Sequence, residues 1–258
     1  MKAVILAGGF GTRLAEETSL RPKPMIEVGG KPLLWHIMKM YERYGIKDFV
    51  VCLGYRGDII KQYFVNYHML NSNVTVDLLS GETEVHEHSG EPWKVSLIDT
   101  GLHTMTGGRL RKIQRFVQGE TFCMTYGDGL SDVDVGKVIE FHRRAGRLAT
   151  VTAVEPPGRF GVLNLNEAGT LVKSFTEKPQ DEIGSINGGF FVLEPGALDY
   201  TSESDDCIWE KAPMERLAAD GQLAAYRHPG FWQPCDTLRD KQVLEKAWER
   251  GAPWLGLD

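Results

Sequence analysis

Short apolar runs alternating with helical periods constrain this chain more than any other feature. Ala3–Ala7, Asp48–Leu53, Val74–Leu79, Phe122–Tyr126 and Ala149–Val154 are apolar stretches of strand length. Between them, Leu33 to Tyr44 places apolar residues at 33, 34, 37, 38, 40 and 41, and Asp58 to Met69 and Val133 to Ala145 suit further helices. Strands covered on both faces need unbroken apolar runs, and strands separated by helices need crossovers and so pair in parallel. Residues 1–155 are therefore predicted to form a doubly wound, mostly parallel α/β sheet. Beyond Pro156-Pro157-Gly158, short strands at Val162–Leu165, Leu171–Phe175 and Gly189–Leu193 alternate with Asn-, Gly- and Pro-rich turns. They read as antiparallel additions to that sheet. Helical segments remain near Cys207–Ala219 and Thr237–Arg250. No repeat or long linker divides the chain, so one domain over 1–258 is expected, with a core over 1–155 and a second part over 156–258. Residues 81–108 read as an irregular insert that serves as a binding loop or a subunit contact, with Trp93, Val95, Leu97 and Ile98 as its apolar residues.

Charge narrows the partners. Against 35 acidic residues stand 29 basic ones, a formal charge of -6. That balance offers no broad surface for nucleic acid or an anionic membrane, so any phosphate site must be local. The apolar run after Met1 is too short for a signal peptide or a span. Cys52, Cys123, Cys207 and Cys235 form no C-x-x-C pair, and a reduced, cytoplasmic protein is expected. His86 and His88, flanked by Glu84 and Glu87, have no second spaced pair to complete a metal site and read as a solvated loop.

The sharpest local feature is Leu6-Ala7-Gly8-Gly9-Phe10-Gly11-Thr12-Arg13-Leu14, directly after the first strand. Three glycines let the backbone turn tightly and bring N–H groups against a phosphate, and Arg13 adds a cationic fork. Two familiar phosphate motifs are excluded: Gly29-Gly30-Lys31 runs into Pro32, and Leu14 stands where a dinucleotide fingerprint needs its third glycine. Ten residues on, Arg21-Pro22-Lys23-Pro24-Met25 fixes a lysine between two prolines, which pre-places its ammonium. Gly127-Asp128-Gly129 puts a carboxylate after the Phe122–Tyr126 strand, where open α/β sheets bind ligands. Asp128 also suits a plain Asp-Gly turn, and Asp236 suits the N-cap of the last helix. Asp132-x-Asp134 has the spacing of a glycosyltransferase metal pair, but at a helix start acids simply suit the dipole.

With these motifs in place, the chain resembles the sugar-1-phosphate nucleotidylyltransferase family, whose fold is a Rossmann-like nucleotide-diphospho-sugar transferase sheet. L-A-G-G-x-G-T-R-L, P-K-P, the strand ending in Gly-Asp, Glu177-Lys178-Pro179 and Asn187-Gly188-Gly189 carry the likeness. Met105 to Leu110 and Gly230 to Thr237 are similar to the branch that transfers cytidylyl groups to glucose 1-phosphate. The resemblance implies CTP and glucose 1-phosphate as substrates, Mg²⁺ as cofactor, and a homo-oligomer, a trimer or hexamer. It assigns Arg13, Lys23 and Asp128 to catalysis and Asp128 and Asp236 to the metal. Leu6, Ala7, Gly8, Gly9, Phe10, Gly11, Thr12, Arg13, Lys23, Thr104, Arg109 and Gly127 fall to the nucleotide. Glu177, Lys178, Asn187 and Gly188 fall to the sugar phosphate. For Arg109 an exposed basic helix start is the competing reading, and Tyr126 and Trp232 are candidates to stack on the sugar.

Overall fold

The first strand, β1 (Ala3–Leu6), is wholly buried and pairs in parallel on both sides, with β2 (Asp48–Leu53) and β4 (Phe122–Tyr126). In the computed structural model these strands lie inside a seven-stranded sheet that also holds β3 (Lys94–Asp99), β5 (Ala149–Val154), β6 (Ile186–Leu193) and β7 (Leu223–His228). Its spatial order is β7-β5-β6-β4-β1-β2-β3. The structure describes residues 1–14, 18, 21–87, 90–155, 162–165, 172–176 and 185–256, with only the backbone at residue 13 and in the 162–165 and 172–176 strands.

Pairing is parallel for β1 with β2 and β4, for β2 with β3 and for β5 with β7, whereas β6 is antiparallel to both β4 and β5. The antiparallel strand expected at Gly189–Leu193 is thus present as β6, but it lies inside the sheet. Its direction matters for the site. The start of β6 lies at the edge where the parallel strands end, so Asn187 and Gly189 come to the same rim as the residue after Tyr126. Helices α1 (Leu33–Glu42), α2 (Gly57–Val65), α3 (Thr106–Lys112), α4 (Val135–Ala145), α5 (Ala212–Ala219) and α6 (Leu238–Glu249) surround the sheet. Two buried clusters form around it, one built on Ile5, Phe49 and Leu33, the other on Val4, Phe122 and Trp209.

One predicted sheet strand is misplaced. Asn73–Val76 is exposed along its length and pairs only with Thr83–Glu87, in a hairpin outside the main sheet. The apolar run alternates with Thr75 and Asp77, Leu78 and Leu79 are almost fully exposed, and Gly81 at φ 78° turns the chain back. The third parallel strand is instead β3, inside the stretch expected to be irregular. Its Lys-Val-Ser-Leu-Ile-Asp sequence alternates because β3 is a sheet edge and half-buried, so it lacks the unbroken run of a central strand. Trp93, Val95 and Leu97 pack partly against the core, with the Trp93 ring 5.8 Å from that of Phe49. Val162–Leu165 and Val172–Thr176 form a separate two-stranded hairpin. Among the described residues no helix is long and apolar enough to cross a membrane.

The C-terminal Trp254 is buried against α1, and its indole N–H donates to His36 Nδ1 at 3.2 Å. An indole can only donate, so His36 must carry its proton on Nε2, which donates to the Val28 carbonyl at 2.8 Å. Burial holds His36 below its ordinary range, only partly offset by the Val28 bond. A depressed histidine leaves the unfolded chain binding the proton first, so its contribution is present above about pH 6.5 and is lost as pH falls toward the folded value. Urea unfolding should therefore show stability falling below pH 6.5, by at most about 1.4 kcal/mol per pH unit from this group. His36→Gln should flatten that segment, and an unchanged slope in the variant would remove His36 as its source.

Candidate active site

The glycine loop leaves β1 with Ala7 N–H bonded to the Cys52 carbonyl at 3.0 Å, and Gly11 at φ 64° sends it into a 3-10 turn at Thr12–Leu14. Beneath the loop lies Arg109, from α3, with only 4% of its surface exposed. Its Nη1 donates to the Leu53 carbonyl at 2.8 Å, Thr100 Oγ1 at 2.6 Å and the Gly101 carbonyl at 2.9 Å, and Nη2 donates to the Gly8 carbonyl at 3.0 Å. A Cβ on Gly8 would fall 2.2 Å from Nη1, so any larger residue there would push the guanidinium off its acceptors. An exposed basic helix start is therefore the wrong description of Arg109. It ties the ends of β1 and β2 to the 100–102 loop, and burial holds its pKa below the ordinary guanidinium range. Thr104, also buried, accepts from Lys112 Nζ at 3.0 Å.

Pro22 precedes the Lys23–Met25 turn in extended geometry, at φ -66° and ψ 151°, and Pro24 stands in its first turn, where a missing N–H leaves no bond unmade. The Lys23 side chain is 12% exposed and its ammonium lies 2.6 Å from Asp128 Oδ2 and 2.5 Å from Asp236 Oδ1. Two carboxylates over a hundred residues apart meet here because Gly129–Ser131, just after Asp128, pairs antiparallel with Trp232–Pro234, just before Asp236. Cys235 N–H closes the junction on the Asp128 carbonyl at 2.8 Å. The N-cap of α6 is taken by Thr237, in a capping box with Asp240, which leaves Asp236 to face Lys23. The carboxylates outweigh burial and raise the pKa of Lys23, so the ammonium stays charged.

A cavity of about 380 Å³ is lined by Leu6 to Gly11, Lys23, Pro24, Leu102 to Thr106, Arg109 and Tyr126 to Asp128. A second, of about 170 Å³, is lined by Thr125, Tyr126, Asp128, Gly129, Asn187 to Phe190, Trp232, Pro234 and Asp236. Tyr126 and Asp128 belong to both. Thr12 lies with Gly11, Lys23 and Asp236 around a third opening. The structure thus brings together the loop, Lys23, Thr104, Arg109, Gly127 and Asp128 in one cavity, and Asn187, Gly188 and Asp236 in its neighbour. Glu177, Lys178 and the Arg13 side chain lie outside the described residues. Trp232 Nε1 donates to the Gly188 carbonyl at 2.7 Å, which fixes the indole on the wall of the smaller cavity. Sequence reasoning missed Leu102 and His103 on the larger wall and Glu210 behind it, which no periodicity or motif marks, and did not single out Thr106 within Met105 to Leu110.

Other polar clusters have structural partners. Asp134 caps α4 by accepting from Lys137 N–H at 2.9 Å, and Asp132 lies 2.8 Å from His228, so Asp132-x-Asp134 does not form a paired ligand set. His86 meets Thr75 across the exposed hairpin. Among the described residues no three His, Cys, Asp or Glu side chains gather as a metal cluster. The Asp128 and Asp236 carboxylates are nevertheless hard oxygen donors on either side of one cation, the Lys23 ammonium, and this donor set fits Mg²⁺, which takes one or two carboxylates alongside phosphate oxygens.

Three comparisons bear on the fold and family. The chain is 55% identical over 256 residues, 98% of each chain, to glucose-1-phosphate cytidylyltransferase of Salmonella typhimurium. Its fold is similar to that of HddC from Yersinia pseudotuberculosis, with a TM-score of 0.68 at 22% identity over 96% of this chain and 99% of that one. It is also similar to a UDP-glucose pyrophosphorylase solved with UDP-glucose, with a TM-score of 0.67 at 16% identity over 96% and 98% of the two chains. At those identities the two structures speak for the fold alone. The family model described as nucleotidyl transferase matches residues 2–233, and with a glycine loop, a lysine and two convergent carboxylates at one sheet rim, the chain belongs to the nucleotidyl transferase family.

Proposed function

We propose that the chain transfers a cytidylyl group from CTP to α-D-glucose 1-phosphate, giving CDP-glucose and pyrophosphate. The observation that carries this reading is the 55% identity, over nearly the whole of both chains, to the Salmonella enzyme named for that reaction. The two adjoining cavities support it, since one reactant is a nucleotide and the other a sugar phosphate.

The sugar phosphate is already an anionic nucleophile, so the reaction needs no general base. Its barrier is the approach of one anion to the α-phosphate of another, in line with departing pyrophosphate. Catalysis is therefore positioning and charge neutralisation. In this reading Leu6 to Thr12 cradle the nucleotide phosphates and Arg13 holds the leaving pyrophosphate. Gly127 allows the nucleotide close approach to the end of β4, and Thr104 and Arg109 shape the nucleotide wall. Glu177, Lys178, Asn187 and Gly188 hold the sugar phosphate. Asp128 and Asp236 would hold Mg²⁺, which supplies charge neutralisation at the phosphates. Lys23 exchanges its carboxylate partners for oxygens of the transferring phosphate, where its charge counts most as the transition state forms.

The setting is read in the same way. All four cysteines are free, which suits a reducing cytoplasm. Val65, Leu70, Val74, Val76, Leu78 and Leu79, all within residues 65–79, are exposed, which suits a homo-oligomer, a trimer or hexamer.

Pyrophosphate release from glucose 1-phosphate with CTP, UTP, dTTP and ATP in turn, Mg²⁺ present, should be strong with CTP alone. Release with another nucleotide would keep the family and overturn the cytidylyl assignment. Lys23→Ala should lower kcat by about 10²–10³-fold, as loss of a preorganised charge does; a near-wild-type kcat would sink its role. Asp128→Asn should abolish Mg²⁺-dependent turnover with circular dichroism unchanged, and retained metal dependence would take Asp128 out of the site.

A further inference from the structure

We propose that Glu210 is a positioning residue for sugar recognition: through Tyr126 it fixes the amide of Asn187 on the wall of the smaller cavity. The proposal rests on the substrate reading above. Glu210 lines neither cavity and is itself exposed, yet it accepts hydrogen bonds from two hydroxyl groups. Thr106 Oγ1 donates to its Oε2 at 2.7 Å, and the Tyr126 hydroxyl donates to its Oε1.

The directions of these bonds carry the argument. A carboxylate can only accept, so both hydroxyl hydrogens are committed to Glu210 and both oxygens are left as acceptors. Thr106 Oγ1 then accepts the Trp209 N–H at 2.9 Å, and the Tyr126 oxygen accepts from Asn187 Nδ2 at 3.3 Å. On its other side Asn187 Oδ1 accepts the Gly189 N–H at 2.8 Å, a donor that admits no alternative. The Asn187 amide is thereby held in one sense from both ends, and its remaining N–H and lone pair keep a fixed polarity for sugar hydroxyls. Gly189, at φ 80°, lets the β6 backbone meet the Tyr126 ring, since a Cβ there would fall 2.7 Å from Cδ2. Without the Glu210 acceptor, the Tyr126 hydroxyl is free to turn its proton toward Asn187, so Nδ2 loses its acceptor and the amide is anchored at Oδ1 alone.

Steady-state kinetics of pyrophosphate release with Glu210→Ala, Tyr126→Phe and the double variant tests this chain of bonds. Glu210→Ala should raise KM for glucose 1-phosphate about tenfold, the effect of losing one charge-assisted bond, while KM for CTP changes less than about threefold. The double variant should be no worse than the worse single one, because both break the same chain. Glu210→Gln, which keeps one acceptor oxygen and the shape of the side chain, should recover part of the loss and serves if the alanine variant folds poorly. An unchanged KM for the sugar phosphate, an equal rise in both KM values, or additive effects in the double variant would overturn the proposal. A wild-type protein that uses other substrates would overturn the substrate reading instead, and the same split would then be measured on the pair it does use.

Discussion

Everything at the candidate site depends on one ammonium held between two carboxylates. Asp128 follows β4 and Asp236 precedes α6, and like charges brought this close would repel without a cation between them. Lys23 supplies that cation from a short turn fixed by prolines on both sides. The arrangement is partly exposed at Asp128 and more shielded at Lys23, so its charges are neither fully screened nor stranded in the core. Such a cluster is built to exchange partners. A site that must accept a highly anionic nucleotide and a second anion needs a cation that can turn from protein oxygens to phosphate oxygens.

The geometry that assembles this cluster comes from strand direction. In an open α/β sheet, ligands gather at the carboxyl ends of the parallel strands, and β1, β2 and β4 deliver the glycine loop, the Arg109 cradle and Asp128 to that rim. An all-parallel sheet would send the residues at the start of β6 to the opposite rim. Because β6 is reversed, with Phe190 opposite Thr125, its first residues Asn187 to Gly189 face the same rim as Tyr126 and Asp128. The Trp232–Pro234 strand, pairing back onto Gly129–Ser131, brings Asp236 by the same logic. The smaller cavity therefore joins the start of β6 to the end of β4, and the larger one gathers the ends of β1 and β4 with the 102–109 segment.

How much of this was legible follows from what kind of contact each feature makes. Buried central strands write themselves as unbroken apolar runs, so β1, β2, β4 and β5 could be read directly, and the glycine loop could be placed after β1. The edge strand β3 could not, because half-burial gives it an alternating pattern inside a polar-looking stretch, while the exposed Asn73–Val76 hairpin supplied a false apolar run. Lys23 and Asp128 stand in motifs whose local chemistry is suggestive, but Asp236 is locally indistinguishable from a helix cap. Only the fold reveals that Thr237 and Asp240 satisfy α6 and leave Asp236 for Lys23. Arg109 was legible as a candidate and illegible in its setting, since its oxygen partners come from three separate segments, around residues 8, 53 and 100–102.

Glu210 is the extreme case of that rule. Nothing within its own segment distinguishes it, and its partners Thr106 and Tyr126 lie about a hundred residues upstream. Its effect is transmitted through hydrogen-bond direction, a property no residue has alone. A hydroxyl offers one proton and can point it several ways, so a network of Thr, Tyr and Asn side chains has several satisfied states. One obligate acceptor at one end and one obligate donor, the Gly189 N–H, at the other reduce those states to a single one. A pocket that must tell sugar hydroxyls apart gains more from that fixed order than from an additional contact, because selectivity requires the wall to present the same donors and acceptors to every ligand that enters.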